Sequence, residues 1–88
     1  MVMDGINQQI AALFYAKAAI LKARSDKYKF RSLAYIRAAQ AITKLNRGLD
    51  EIYAHGWLVG LEKIEGIGNR LAHEIETELK KRGLVKKK

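Results

Sequence analysis

Leu61-Glu62-Lys63-Ile64-Glu65-Gly66-Ile67-Gly68-Asn69-Arg70-Leu71-Ala72 is the stretch on which the reading of this chain turns. Two glycines, one residue apart, stand between two segments of helical character. Glycine reaches positive φ at little cost and, lacking a Cβ, lets another molecule approach the backbone closely. Ile67 between them can turn inward and anchor the turn to a core. A helix that begins at Asn69 leaves its first N–H groups without intrahelical partners, pointing out of the turn. Those donors, with the positive end of the helix dipole, suit a phosphate. Arg70 in the first turn can add a charge-assisted contact. Contacts of this kind position a phosphate and read no bases. An ordinary tight turn between helices shows the same two glycines. No strand precedes them and a third glycine is missing, so the stretch is not a dinucleotide fingerprint. Apolar Ile64 before, Ile67 within and Leu71-Ala72 after favour the phosphate-binding hairpin.

Outward from the hairpin the chain reads as helix throughout. Leu71, Ala72, Ile75 and Leu79 mark the inner face of a helix from Asn69 to about Arg82, stopped by Gly83. Upstream, Leu61 to Lys63 is a short helical turn. Leu49 to His55 is a short helix closed by Gly56, with Trp57 and Leu58 plugging the core. Phe30, Leu33, Ala34, Ala38, Ala41, Ile42 and Leu45 form the buried stripe of a helix starting at Lys27 or Phe30 and ending at Leu45. Asn46-Arg47-Gly48 ends it, with Asn46 or Gly48 in the left-handed cap conformation. The first helix runs from a cap at Asp4 to Arg24 on Ile6, Ile10, Leu13, Phe14 and Leu21, and Ser25-Asp26 breaks it. No segment alternates as a strand does, and proline is absent. The expected architecture is all-α: a compact four- or five-helix domain spanning 1–88, with 83–88 a frayed basic tail that includes Lys86-Lys87-Lys88.

Length and charge bound what such a domain does. Eighty-eight residues make one domain, and 49% apolar residues suffice for a core. No run approaches the ~20 apolar residues of a membrane span, and Met1 to Gly5 shows no basic leader. Without cysteine there is no disulfide framework and no cysteine-based zinc site, which fits an intracellular, reducing compartment. Seventeen Lys and Arg against nine Asp and Glu give +8, a surplus that favours DNA, RNA or an acidic membrane face. Between Lys17 and Arg47 nine basic residues stand with one acid, Asp26. A merely solvated helix face mixes signs to gain i,i+4 pairs. This one does not, so Lys27, Lys29, Arg31 and Arg37 are expected to form a binding surface beside Gly66, Ile67, Gly68, Asn69 and Arg70.

At this point a resemblance is visible. Phe30-Arg31-Ser32-Leu33-Ala34-Tyr35-Ile36-Arg37-Ala38-Ala39-Gln40-Ala41-Ile42, with its aromatic-Arg start, its Tyr and its Arg-Ala-Ala run, resembles the second helix of the N-terminal domain of X-family (polymerase beta-like) DNA polymerases. Leu61 to Ile75 resembles that domain's helix-hairpin-helix and following helix, and the similarity runs end to end. The resemblance implies a domain that grips gapped or nicked DNA by a 5′-phosphate, with Arg31, Tyr35 and Arg70 at the pocket. It also implies a sodium or potassium ion on the backbone carbonyls of Glu62, Ile64 and Ile67. Some members excise a 5′-deoxyribose phosphate through a lysine that forms a Schiff base. That lysine falls at Glu74, and a carboxylate cannot form an imine. Glu62 likewise replaces a basic residue, and Glu65 stands where proline often opens the hairpin. These 88 residues hold no polymerase domain.

The expectation is therefore non-catalytic, non-sequence-specific DNA binding by a monomer, with no membrane and no small-molecule substrate. Two alternatives stand beside it. One is a protein-interaction module, suited by the acidic end that carries Glu62, Glu65, Glu74, Glu76 and Glu78. The other is a lyase using another amine, such as Lys63 or Lys27. Tyr35 could bond a phosphate or stack on a base, or be a partly buried helix residue. Tyr28 and Phe30, among lysines and Arg31, could stack on unpaired bases, although Phe30 is expected in the core. Trp57 is expected to be structural, and His73 to lie on a solvated face rather than to ligate a metal.

Overall fold

The structure, a computed structural model, describes residues 5–84. The expected cap at Asp4 and the tail lysines Lys86, Lys87 and Lys88 lie outside them. Among the described residues the elements are α1 (Ile6–Arg24), a single 3₁₀ turn (Asp26–Tyr28), α2 (Lys29–Thr43), α3 (Leu49–Glu62) and α4 (Asn69–Lys81). The radius of gyration is 12.9 Å, what a folded chain of this size requires.

Helices α1 and α2 form an antiparallel pair. The chain reverses at Ser25, whose extended backbone ends α1 and whose hydroxyl accepts the Lys27 N–H at 3.2 Å. Ala11, Ala18, Ala38 and Ala39 are all buried and let the two backbones approach closely. Ser32 Oγ donates to the Ala18 carbonyl at 3.0 Å, and the edges of Phe14 and Tyr35 meet at 5.2 Å between centroids. Helices α3 and α4 pack as a second pair. One side-chain amide fixes α3 to α1: Asn7 donates to the Arg47 carbonyl at 2.8 Å and accepts the Leu49 N–H at 2.7 Å. Ile10, Phe14, Ile42, Leu49, Leu61, Ile75 and Leu79 are fully buried, so every helix contributes to one core. Burying such a side chain stabilises by about 1.5–3 kcal/mol.

The structure bears out the all-α expectation and corrects several details. Phe30, Leu33 and Ala34 were expected inside and are exposed, Phe30 to 83%. The stripe that faces α1 is instead Ser32, Tyr35, Ala38, Ala39 and Ile42. Two polar residues hold inner positions because each hydroxyl finds an acceptor there, Ser32 on Ala18 and Tyr35 on Glu74. Neither Asn46 nor Gly48 is left-handed. The N–H groups of Lys44 and Leu45 bond the Ala41 and Ile42 carbonyls at 3.2 Å each, so the last turn tightens without reversing. Gly48, at φ −69°, starts α3.

The third helix breaks where the sequence suggests, directly after Gly56: Trp57, at φ 56° and ψ −147°, is not helical. Helix α3 is two helical pieces across this kink, and the second, ending at Glu62, takes in the start of the expected turn at Leu61 to Lys63. Trp57 does not plug the core: it is 44% exposed, with its ring edge against Tyr53 at 5.2 Å. Gly83 does stop α4. At φ 73° it carries the chain into a Schellman closure, with Leu84 N–H on the Leu79 carbonyl at 3.0 Å and Gly83 N–H on Lys80 at 3.1 Å.

Candidate nucleic-acid interface

The hairpin is built by one tight turn. Ile67 N–H donates to the Ile64 carbonyl at 3.0 Å, and Gly66 sits third in the turn at φ 93°. This is the type II pattern, which needs a residue tolerant of positive φ at that place. A Cβ on Gly66 would lie 3.5 Å from the Arg37 carbonyl and 3.6 Å from Ala41 Cβ, so the turn rests directly on α2. Ile67 turns inward and is buried. Asn69 Nδ2 donates to Glu62 Oε2 at 2.9 Å and staples the two helices across the turn.

Gly68 is the N-cap of α4, in extended conformation (φ −92°, ψ −174°), and no side chain caps the helix. Nothing lies within 4 Å of where its Cβ would stand. The N–H groups of Asn69, Arg70 and Leu71 precede the first intrahelical bond, Ala72 N–H to the Gly68 carbonyl at 2.9 Å. They are therefore available to an anion. Beside them a groove of about 460 Å³ is lined by Phe30, Arg31, Ala34 and Tyr35 from α2 and by Gly66, Gly68, Arg70 and Leu71 from the hairpin. On the other flank of Gly66 a second groove of about 440 Å³ includes Arg37, Gln40, Lys44 and Glu65. The hairpin thus forms a ridge with Arg31 and Arg70 on one side and Arg37 and Lys44 on the other.

The floor of the first groove is less free than the sequence suggests. Tyr35 is only 7% exposed and donates its hydroxyl to Glu74, with the oxygen 2.8 and 2.7 Å from the two carboxylate oxygens. Burial, then the hydrogen bond and charge of Glu74, push its pKa up to about 12, against the opposing pull of Arg70 and Arg31. Lys17 reaches over from α1. Its Nζ lies 2.8 Å from Glu74 Oε1 and 5.7 Å from the centre of the Tyr35 ring.

Gly66, Ile67, Gly68, Asn69, Arg70, Arg31 and Tyr35 are brought together as expected, and Arg37 joins from the opposite flank. Lys27 and Lys29 are not at the hairpin. Lys29 lines a different groove with Lys22 and Leu33, and Lys27 lies over the Tyr28 ring at 5.7 Å. The set Lys17–Glu74–Tyr35 was not legible, because its members lie up to 57 positions apart on three helices. Lys44 was missed as well, although it sits seven residues from Arg37, two turns along one helix face.

Of the carbonyls that the resemblance assigns to a monovalent cation, Ile64 already accepts the turn bond and keeps one lone pair for an ion. Among the described residues no cluster of His, Asp or Glu could hold a metal ion. His73 Nδ1 instead pairs with the Asn69 carbonyl at 2.9 Å.

A family model described as a helix-hairpin-helix domain matches residues 5–84. The chain belongs to the helix-hairpin-helix domain family. Neither a curated protein nor a solved structure matches it. Helix-hairpin-helix domains are typically nucleic-acid-binding units, and the hairpin of Gly66 to Arg70 lies inside the matched span. All four helices of this member fall inside the matched span, so α1 and α2 belong to the helix-hairpin-helix domain as much as the hairpin does.

Proposed function

We propose that the domain binds DNA along its sugar-phosphate backbone, without sequence preference and without catalysis. The observation that supports this most directly is the uncapped start of α4 opening beside Arg31 and Arg70. Backbone donors and guanidinium groups there meet phosphate, which every nucleotide offers, and they carry no base readout. Arg37 and Lys44 on the far flank of the ridge supply contacts to a neighbouring phosphate or to the opposite strand.

The X-family resemblance extends this to gapped or nicked DNA, and the exposed Phe30 supports that extension. A ring 83% exposed at the edge of the first groove suits stacking on an unpaired base better than contact with a continuous duplex. Lyase chemistry has no support at the position where the family carries its amine, because Glu74 stands there. The nearest amine, on Lys17, is engaged by that carboxylate.

Fluorescence anisotropy with short gapped and intact duplexes, and with RNA of the same sequence, tests the reading at low and moderate salt. Binding to DNA that weakens steeply with salt and ignores sequence supports it. No binding at low salt would overturn it and leave a protein partner as the better explanation of the basic surface. Borohydride trapping on an abasic duplex should yield no covalent adduct.

A further inference from the structure

Glu74 stands four residues, one helical turn, after Arg70, so both project from the same face of α4. Its carboxylate oxygens take up two donors, the hydroxyl of Tyr35, which lines the groove, and the Lys17 ammonium. A carboxylate with both oxygens in hydrogen bonds and one charge balanced is chemically close to a bound phosphate. We propose that Glu74 is a built-in anion beside this groove that occupies the donors a terminal phosphate would need. It would be the residue that makes the domain read internal phosphodiesters instead of 5′-phosphate ends. This rests on the DNA-binding reading above and narrows its substrate class.

The two ligand classes differ in charge and in free oxygens. A phosphodiester carries one negative charge and two unesterified oxygens, which the free N–H groups of Asn69 to Leu71 and the guanidinium groups of Arg31 and Arg70 can satisfy. A terminal phosphate carries close to two charges and a third free oxygen. The extra charge and oxygen need further donors, and the nearest are the two held by Glu74. Because Glu74 is tethered, its effective concentration at the site exceeds that of any free phosphate end. A terminal phosphate must also bring its charge up to a carboxylate, whereas a diester lying nearer the mouth of the groove need not.

The test compares the wild-type domain with Glu74→Gln and Glu74→Ala. Gln removes the charge and releases Lys17 while keeping an acceptor for Tyr35. Ala releases both donors. Affinities are measured for one gapped duplex with and without its 5′-phosphate. The wild type should bind the two within about twofold of each other. Each variant should prefer the phosphorylated duplex by about tenfold, the scale of one hydrogen bond to a charged group. A merely structural role for Glu74 would weaken both affinities together and leave their ratio unchanged, which overturns the proposal. So does a wild type that already prefers the 5′-phosphate.

A second arm uses inorganic phosphate and the backbone amide spectrum. Shifts at Gly68 to Leu71 should be larger, and saturate at lower phosphate, in Glu74→Gln than in the wild type. If no form binds DNA at low salt, the general reading fails. The phosphate arm still decides the role of Glu74: shifts in Glu74→Gln no larger than in the wild type, with its amide spectrum dispersed as in the folded wild type, would sink it.

Discussion

At the scale of single residues, the two hairpin glycines do different work, and substitution separates them. Gly66 holds φ 93° with α2 against it. Gly66→Ala forces a side chain into the left-handed region and should destabilise the fold by about 1–2 kcal/mol, seen as a lowered melting temperature. Gly68 is extended, with open space around it. Gly68→Ala should cost less than about 1 kcal/mol, the loss of a tolerated N-cap residue. Its methyl group would stand beside the open N–H groups of α4, so, on the proposed phosphate contact there, DNA affinity should fall while the melting temperature holds. Equal losses of stability in the two variants would contradict this division.

Two tyrosines carry a second residue-scale prediction. Tyr35 and Tyr53 each donate to a carboxylate, Glu74 and Glu76 respectively, and burial leads the causes that push both pKa values up to about 12. An unfolded tyrosine ionises near ~10. The neutral phenols therefore contribute stability that is complete below that value and is lost as pH rises through the folded one. Absorbance titration should show two phenols ionising near pH 12, and Tyr35→Phe should remove one of them. Alkaline unfolding should begin in that same interval.

Among the elements, α2 carries two tasks on two faces. Its inner face braces α1 through Ser32, whose buried hydroxyl meets Ala18 at 3.0 Å. Ser32→Ala should cost about 1 kcal/mol in denaturant unfolding, the usual net value of such a bond, with DNA affinity unchanged. Its outer face carries Arg31 and Arg37 on opposite flanks of the hairpin ridge. Arg31→Ala and Arg37→Ala should each weaken binding uniformly across sequences. Each should reduce the salt slope by about 1, with stability unaffected.

The same helix shows what a sequence can and cannot disclose. The helix itself, its basic side chains and the hairpin it supports follow from periodicity, glycine spacing and charge. The rotation of α2 about its axis does not. A stripe of Phe30, Leu33 and Ala34 is the more apolar choice, yet Ser32 and Tyr35 are buried because acceptors on α1 and α4 satisfy them. Those acceptors lie 14 and 39 positions away, beyond any local pattern. Tertiary hydrogen bonding overrode hydrophobic ranking here. It likewise hid the set of Lys17, Glu74 and Tyr35.

For the molecule as a whole, charge sets how binding responds to its surroundings. The net charge is +8, and the basic groups that flank the hairpin are Arg31, Arg70, Arg37 and Lys44. About four phosphate contacts imply a slope of log affinity against log salt of about −3 to −4. A slope near zero would show that these four groups do not meet phosphate. The acids of α4 are held by bases: Glu76 and Glu78 pair with Lys80, Lys81 and Arg82 along the helix and Glu74 with Lys17, whereas Glu65 lies in the second groove with Arg37 and Lys44.

The break in α3 gives the protein an optical handle. Trp57 is the single tryptophan of the chain, held at φ 56° and half in water, with Tyr53 beside it. Its emission therefore comes from one known point of the backbone, and that point lies outside both grooves that flank the hairpin. Straightening or loosening the break changes what the indole touches and so changes the colour and intensity of its light. Folding, and any motion that nucleic acid transmits to α3, can thus be followed in the unlabelled protein.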